Sequence, residues 1–292
     1  MAMSDISLTS GMRTNLLNLQ SATNLLDRTQ TRLSTGKKVN TALDNPTNFF
    51  AAQGHSNRAS DLSARKDGMA EGIQTIKAAD AGIKAITGLI EAAKGLAQSA
   101  RSADATGRED LAAQFDALRG QIDDLAGDSG YKGINLLAKD SELTVEFDEE
   151  GDSKVLVEGF DASTGGDDAE TDGLKIRAAE TADLDGDPAT DPPTTAWAQD
   201  SQIDQAVSDL NAALGTLRKE SASLATNLSV INIRQDFTDE MIGTLQAGAD
   251  NLTLADMNEE GANMLMLQTR QQLGTTALSL SAQAAQSVLR LF

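Results

Sequence analysis

The chain has 292 residues and a formal net charge of −20, with no cysteine, one histidine (His55), one tryptophan (Trp197) and one tyrosine (Tyr131). The absence of cysteine excludes disulfides, cysteine-ligated zinc and thiol catalysis together. So acidic a chain is a poor match for phosphate backbones, and no nucleic-acid partner is expected.

The N-terminus, Met1-Ala2-Met3-Ser4-Asp5-Ile6, carries no basic segment followed by an apolar run, which predicts that there is no cleaved secretory signal. No stretch of 18 apolar residues occurs anywhere, so no membrane insertion is expected. The first element is a heptad stripe of Met12, Leu16, Leu19, Thr23, Leu26, Gln30 and Leu33, a helix with two polar interruptions. Asn45-Pro46 then reads as the start of a second helix, with Asn as N-cap and Pro at the first helical position. Its stripe is Ile76, Ala79, Ile83, Ile86, Ile90, Ala93, Ala97 and Ala100. A third, shorter helix follows Leu111, Phe115, Leu118, Ile122 and Leu125, with Gly127 and Gly130 as stop signals.

The centre differs in kind. Leu143–Phe147 and Lys154–Val157 flank the acidic segment Asp148–Asp152 and predict a β-hairpin. From Asp161 to Pro193 the sequence is rich in Gly, Asp and Thr and reads mostly as loop, with one strand at Leu174–Arg177. Residues 141–200 hold 18 acidic and 3 basic side chains, a net of −15, which leaves −5 for the rest of the chain. Charge so concentrated suggests a projecting, solvated surface.

A fourth helix carries the strongest pattern. Steps of four and three from Ile203 reach Val207, Leu210, Leu214, Leu217, Ser221, Leu224, Leu228, Ile231, Gln235, Thr238, Ile242 and Leu245 without a skip. At 1.5 Å per residue this seam runs ~65–70 Å, too long for a compact domain. The C-terminal helix has two stripes, one through Leu273, Ala277, Leu280, Ala284 and Leu291, the other through Leu267, Leu278, Ala285, Val288 and Phe292. Between Gly261 and Phe292 the only charges are Arg270 and Arg290. A helix apolar on more than one face needs burial on more than one face, and too little of the chain is left to provide it. The terminal positions Leu16, Leu19, Leu26, Leu33, Leu267, Leu273, Leu278, Leu280, Val288, Leu289 and Phe292 are therefore the candidate inter-subunit packing residues. The fold class expected is mainly α, a long helical bundle or coiled coil of N- and C-terminal segments around a small hairpin-containing centre.

Residues 33–50, LSTGKKVNTALDNPTNFF, closely resemble the N-terminal signature of bacterial flagellins, with Leu33, Gly36, Lys37, Asn40, Ala42, Asp44 and Pro46 in register. Asn45 stands where the family commonly has Asp, and Phe49-Phe50 replaces smaller aliphatics. Lys66-Asp67-Gly68 with Ile73 resembles the family's Asn-Asp-Gly helix segment, and Tyr131–Leu137 its Phe-Asn-Gly-x-x-Leu-Leu loop. The Gln-, Ala- and Leu-rich tail is similar to the family's C-terminal helix. The resemblance covers about 1–140 and 200–292, and so short a centre resembles the compact flagellins of alphaproteobacteria.

The resemblance implies a structural subunit that polymerises into the flagellar filament. Residues 1–34 and 257–292 would be inner polymerisation helices, 35–44 and 249–256 linkers, 45–140 and 200–248 an outer-tube rod, and 141–199 a short acidic variable surface region. It implies export through the flagellar channel, a flagellin chaperone, and contact with hook-associated junction and cap proteins. The alternatives are a hook–filament junction protein and a secreted helical adhesin or effector. No enzyme, cofactor or metal is expected, since no nucleophile–base pair, ligand cluster or phosphate-cradling loop appears.

Several sharper motifs fall to plainer readings. Asp183-Leu184-Asp185-Gly186-Asp187-Pro188 begins like a calcium loop, but Pro188 and Thr194 stand where the turn glycine and the bidentate Glu belong. His55 has no second His or Cys to join it. Asn227-Leu228-Ser229 and Asn251-Leu252-Thr253 match the N-glycosylation pattern by chance, the first with Leu228 in the seam. Many flagellins carry an Arg-x-Arg-Glu-Leu segment recognised by vertebrate innate receptors. Here Ala92, Lys94, Gly95 and Leu96 occupy those places, which implies a degenerate receptor segment.

Overall fold

The computed structural model describes residues 10–165, 173–179 and 196–289. Among them the chain forms α1 (Ser10–Thr35), α2 (Pro46–Ala100), α3 (Ala105–Asp128), β1 (Glu142–Glu146), β2 (Lys154–Glu158), α4 (Asp200–Thr253) and α5 (Met257–Leu289). Two compact units result, one from Met1–Ala59 with Gly243–Phe292, the other Ser60–Ile242. The helices α2 and α4 contribute to both.

The unit of residues 60–242 holds the main core. All eight members of the α2 stripe from Ile76 to Ala100 are buried, and no member of the α4 seam from Ile203 to Ile242 is exposed. Thr238 sits in that seam at no polar cost, because its hydroxyl donates to the Arg234 carbonyl one turn back. The two helices run antiparallel, joined by Lys66–Asp239, Ser221 to Asp80, Lys94 to Asn211 and Arg101–Asp204. The third helix starts where Asp104 accepts the Gly107 amide at 2.9 Å, and buries Ala112, Phe115, Ile122 and Ala126.

The helix α3 ends at Asp128, between Gly127 and Gly130 and capped by Ser129 at φ −77°, so the stop falls where the glycines mark it but is not made by their conformation. Neither Gly127 nor Gly130 takes the left-handed conformation that makes glycine a terminator. Instead the Asn135 amide donates to the Ala126 and Gly127 carbonyls at 2.7 and 3.0 Å, satisfying the helix end from outside.

The hairpin forms as the alternation requires, antiparallel with Leu143 opposite Val157 and Val145 opposite Val155. Leu143, Val145 and Val157 point into the core, and Asp148 accepts the Gly151 and Ser153 amides to close the acidic turn. The strand expected at Leu174–Arg177 is absent. Lys175 has φ +56°, which breaks the extended run, although the Leu174 and Ile176 amides still donate to the Ser163 and Thr164 carbonyls.

The flanks of the acidic block are loop in backbone, yet they are not a solvated knob. Ala162, Thr164, Leu174, Ile176, Ala179 and Trp197 are all buried, and Trp197 packs on Phe115 with ring centroids 5.0 Å apart. Polar anchors on α3 explain why. The Arg119 guanidinium donates to the Ile176 carbonyl at 2.9 Å, Asp123 accepts both the Thr164 amide and hydroxyl, and Asp116 accepts the Ala179 amide. Arg177 adds a two-pronged pair with Asp209 of α4. The calcium-like segment 183–188 lies outside the described residues.

Candidate functional site

The unit of residues 1–59 and 243–292 is built around the terminal helices, where α1 and α5 pack along each other. One face of each is used. Leu19, Leu26 and Leu33 are half-buried, and Ala22, Thr29 and Leu267 are buried. Other faces are bare: Leu17 is 64% exposed, Leu265 68%, Leu273 65% and Leu280 61%. Leu16 is exposed and Leu278 half-buried, while Phe292 and the side chains of Val288 and Leu289 lie outside the described residues. A groove of about 440 Å³ runs between the pair, lined in part by Leu19, Ala22, Leu25 and Leu267 with Arg270 among its polar residues. The two helices do not fill their own interface.

The connection between α1 and α2 is a tightly bonded loop, and it explains the motif at 33–46 in physical terms. Gly36 ends α1 at φ +71°, a conformation that a Cβ disfavours, and its amide donates back to the Arg32 carbonyl at 2.8 Å. The chain then runs beside the α4–α5 connection. The Lys38 and Val39 amides donate to the Thr253 carbonyl at 2.7 and 3.3 Å, and the Ala255 amide donates to the Gly36 carbonyl at 2.9 Å. Lys37 and Leu254 thus face each other as an antiparallel bridge. The Asn40 side chain donates to the Lys37 carbonyl. Asp44 accepts the Asn40 and Thr41 amides at 3.0 and 2.9 Å, which hold its carboxyl below the ordinary carboxylate value, the Thr41 amide contributing most. Asn45 accepts the Asn48 amide at 3.1 Å, and α2 begins at Pro46 as its cap residues require.

One charged pair spans the terminal helices. Arg32 in the last turn of α1 donates to Glu260 in the first turn of α5 at 2.7 Å. Each charge suits the helix end it occupies. Glu260 is 6% exposed, the one buried carboxylate among the described residues.

On α2, Ala92 and Gly95 are exposed, Leu96 packs against the core, and the Lys94 ammonium donates to Asn211 at 2.7 Å. His55 lies beside Gly248 of α4, as an ordinary helix residue would. Among the described residues no cluster of His, Cys, Asp or Glu could hold a metal, and no helix is long and apolar enough to cross a membrane.

The family model described as the bacterial flagellin N-terminal helical region matches residues 6–142. Flagellin FljM of Caulobacter vibrioides is 32% identical over the full length of both chains, and flagellin FljK of the same organism 31%. The chain belongs to the bacterial flagellin family. A flagellin of Brucella melitensis is 26% identical over 99% of each chain. The Bacillus cereus flagellin structure overlaps 59% of this chain and 88% of its own, with a TM-score of 0.45 and 14% identity, a likeness too slight to place any residue. As a flagellin, the chain is a structural subunit that polymerises into the bacterial flagellar filament. Flagellins as a family form an extracellular filament and are structural proteins rather than enzymes.

Proposed function

We propose that α1 and α5 are the polymerisation helices of this flagellin and that neighbouring copies cover their bare faces. The observation that carries this reading is the row of exposed leucines on α5, Leu265, Leu273 and Leu280, on a helix with Arg270 as its one charge between Gly261 and Leu289. Exposed apolar surface of that kind is costly in water and is recovered when copies stack. Residues 1–34 and 257–292 form the inner layer on this reading, 35–44 and 249–256 its linkers, 45–140 with 200–248 the outer tube, and 141–199 the short acidic variable surface region. The packing residues are Leu16, Leu19, Leu26, Leu33, Leu267, Leu273, Leu278, Leu280, Val288, Leu289 and Phe292.

The subunit leaves the cell through the flagellar export apparatus, kept from premature assembly by a flagellin chaperone, and meets hook-associated junction and cap proteins at the filament ends. It has no catalytic activity. The segment Ala92, Lys94, Gly95 and Leu96 is a poor innate-receptor ligand, since it lacks the arginine and glutamate that such recognition uses. Purified monomer added to short filament seeds tests the main reading by electron microscopy. Continuous growth into tubes supports it. Seeds capped after a short segment point to a junction protein instead.

A further inference from the structure

We propose that the Arg32–Glu260 pair, together with the backbone bridge between 36–39 and 253–255, sets the register of α1 against α5 and thereby controls assembly competence. The inference rests on the reading of α1 and α5 as polymerisation helices. Two helices whose contact is a smooth row of Leu, Ala and Thr can slide by a turn with little loss, because one apolar side chain replaces another. A buried charge cannot slide so. Glu260 is 6% exposed, and Arg32 is the cation the structure gives it, at 2.7 Å. A one-turn shift would break the Arg32 contact, carrying Glu260 either past the end of α1 or to the level of Arg28, which is exposed in this register. Only the register seen here both buries and pairs the carboxylate, and a buried charge that loses its partner is strongly unfavourable. Fixing register is the best-attested use of a buried polar or charged group in packed helices.

The backbone supports the same register from the other side. Three amide donors, those of Lys38, Val39 and Ala255, close the bridge, and the Lys38 ammonium adds a bond to the Asn251 carbonyl. The turn that delivers Lys38 to Thr253 depends on Gly36 at φ +71°. Several turns further along both helices, Gly274 gives Leu19 room at the contact: a Cβ there would lie 2.8 Å from the Leu19 Cδ1. Fixed at the bridge, and with the Leu19 side chain over Gly274, α5 presents Leu265, Leu273 and Leu280 outward in one orientation. A filament needs each copy to offer the same face, so register within one subunit becomes a condition for joining the next.

The single Trp197 allows this role to be separated from overall stability, since it lies in the other unit, 1% exposed against Phe115. The full-length variants Arg32→Met, Glu260→Gln and Gly36→Val, and the swap Arg32→Glu/Glu260→Arg, are compared with the parent in seeded elongation. Each sample is followed by Trp197 fluorescence and by the monomer concentration left at the plateau. Each single variant should keep the parent's Trp197 emission and unfolding midpoint while leaving at least about tenfold more monomer unassembled. The swap should regain at least about threefold of that loss, short of full recovery because each charge then opposes its helix end. Single variants that assemble like the parent, or a swap no better than Arg32→Met, would overturn the role of the pair. Failure of the parent itself to elongate seeds would instead count against the filament reading.

Discussion

At the scale of single residues, two glycines on α2 that look alike in sequence are set apart by their surroundings. A Cβ on Gly82 would lie 2.7 Å from Leu137 Cδ1 and 2.8 Å from Ser129 Cβ, whereas one on Gly88 would meet nothing within 4 Å. Alanine at Gly88 should therefore stabilise the monomer by up to about 1 kcal/mol through helix propensity. At Gly82 the same gain is outweighed by overpacking of about 1–3 kcal/mol, because Ser129 Cβ belongs to the capped end of α3 and has no freedom to retreat. Thermal unfolding of the two monomers should move in opposite directions. Asp44 supplies a pH test. Its folded value is lowered by the Thr41 and Asn40 amides, so its contribution is present above the unfolded value of 3.8 and is lost as pH falls through the lower folded one. The Asn40 and Thr41 amides should lose hydrogen-exchange protection as pH falls through that lowered folded value, which lies under 3.8. In Asp44→Asn they should exchange faster already at neutral pH, with no acid step.

At the scale of elements, periodicity made the helices legible because burial follows it closely. The seam counted from Ile203 has no exposed member through Leu245, and the Ile76–Ala100 stripe is buried throughout. The hairpin was legible for the same reason, with Leu143, Val145 and Val157 alternating inward. What composition concealed was the packing of the acidic block's flanks. Gly-, Asp- and Thr-rich sequence reads as solvated loop, but Asp123 and Arg119 on α3 give its backbone the partners that a strand would have given, and Ile176 and Trp197 fill the space beneath. The lone tryptophan was the available signal, since so large a side chain is rarely left in water. The bridge at 36–39 with 253–255 was hidden for another reason: its bonds are backbone to backbone, and only Gly36 and the Asp44–Asn45–Pro46 run mark it in sequence. Deletion of 161–198 should therefore unfold the 60–242 unit cooperatively, because it strips Phe115 and Arg119 of their cover. Arg119→Met alone should cost about 1.5–3 kcal/mol by urea denaturation, as expected for lost charged hydrogen bonds. Deletion of 183–193, bridged by Gly and Ser, should leave that unfolding midpoint unchanged.

At the scale of the whole molecule, charge and apolar surface are divided along the chain. Residues 141–200 carry a net of −15, whereas α5 from Gly261 to Leu289 carries a single Arg270. On the proposed reading the first arrangement keeps finished filaments apart, and the second draws copies together. Screening acts mainly on the first, so filaments should survive moderate salt and bundle more readily as it rises, which light scattering against ionic strength measures. The central claim, that the terminal helices drive polymerisation, is tested most directly by electron microscopy of seeded reactions with the full chain and with a chain trimmed of 1–32 and 261–292. The account predicts tubes from the full chain, and from the trimmed one a helical protein with buried Trp197 fluorescence that neither elongates seeds nor forms tubes. Tubes grown from the trimmed chain would contradict it.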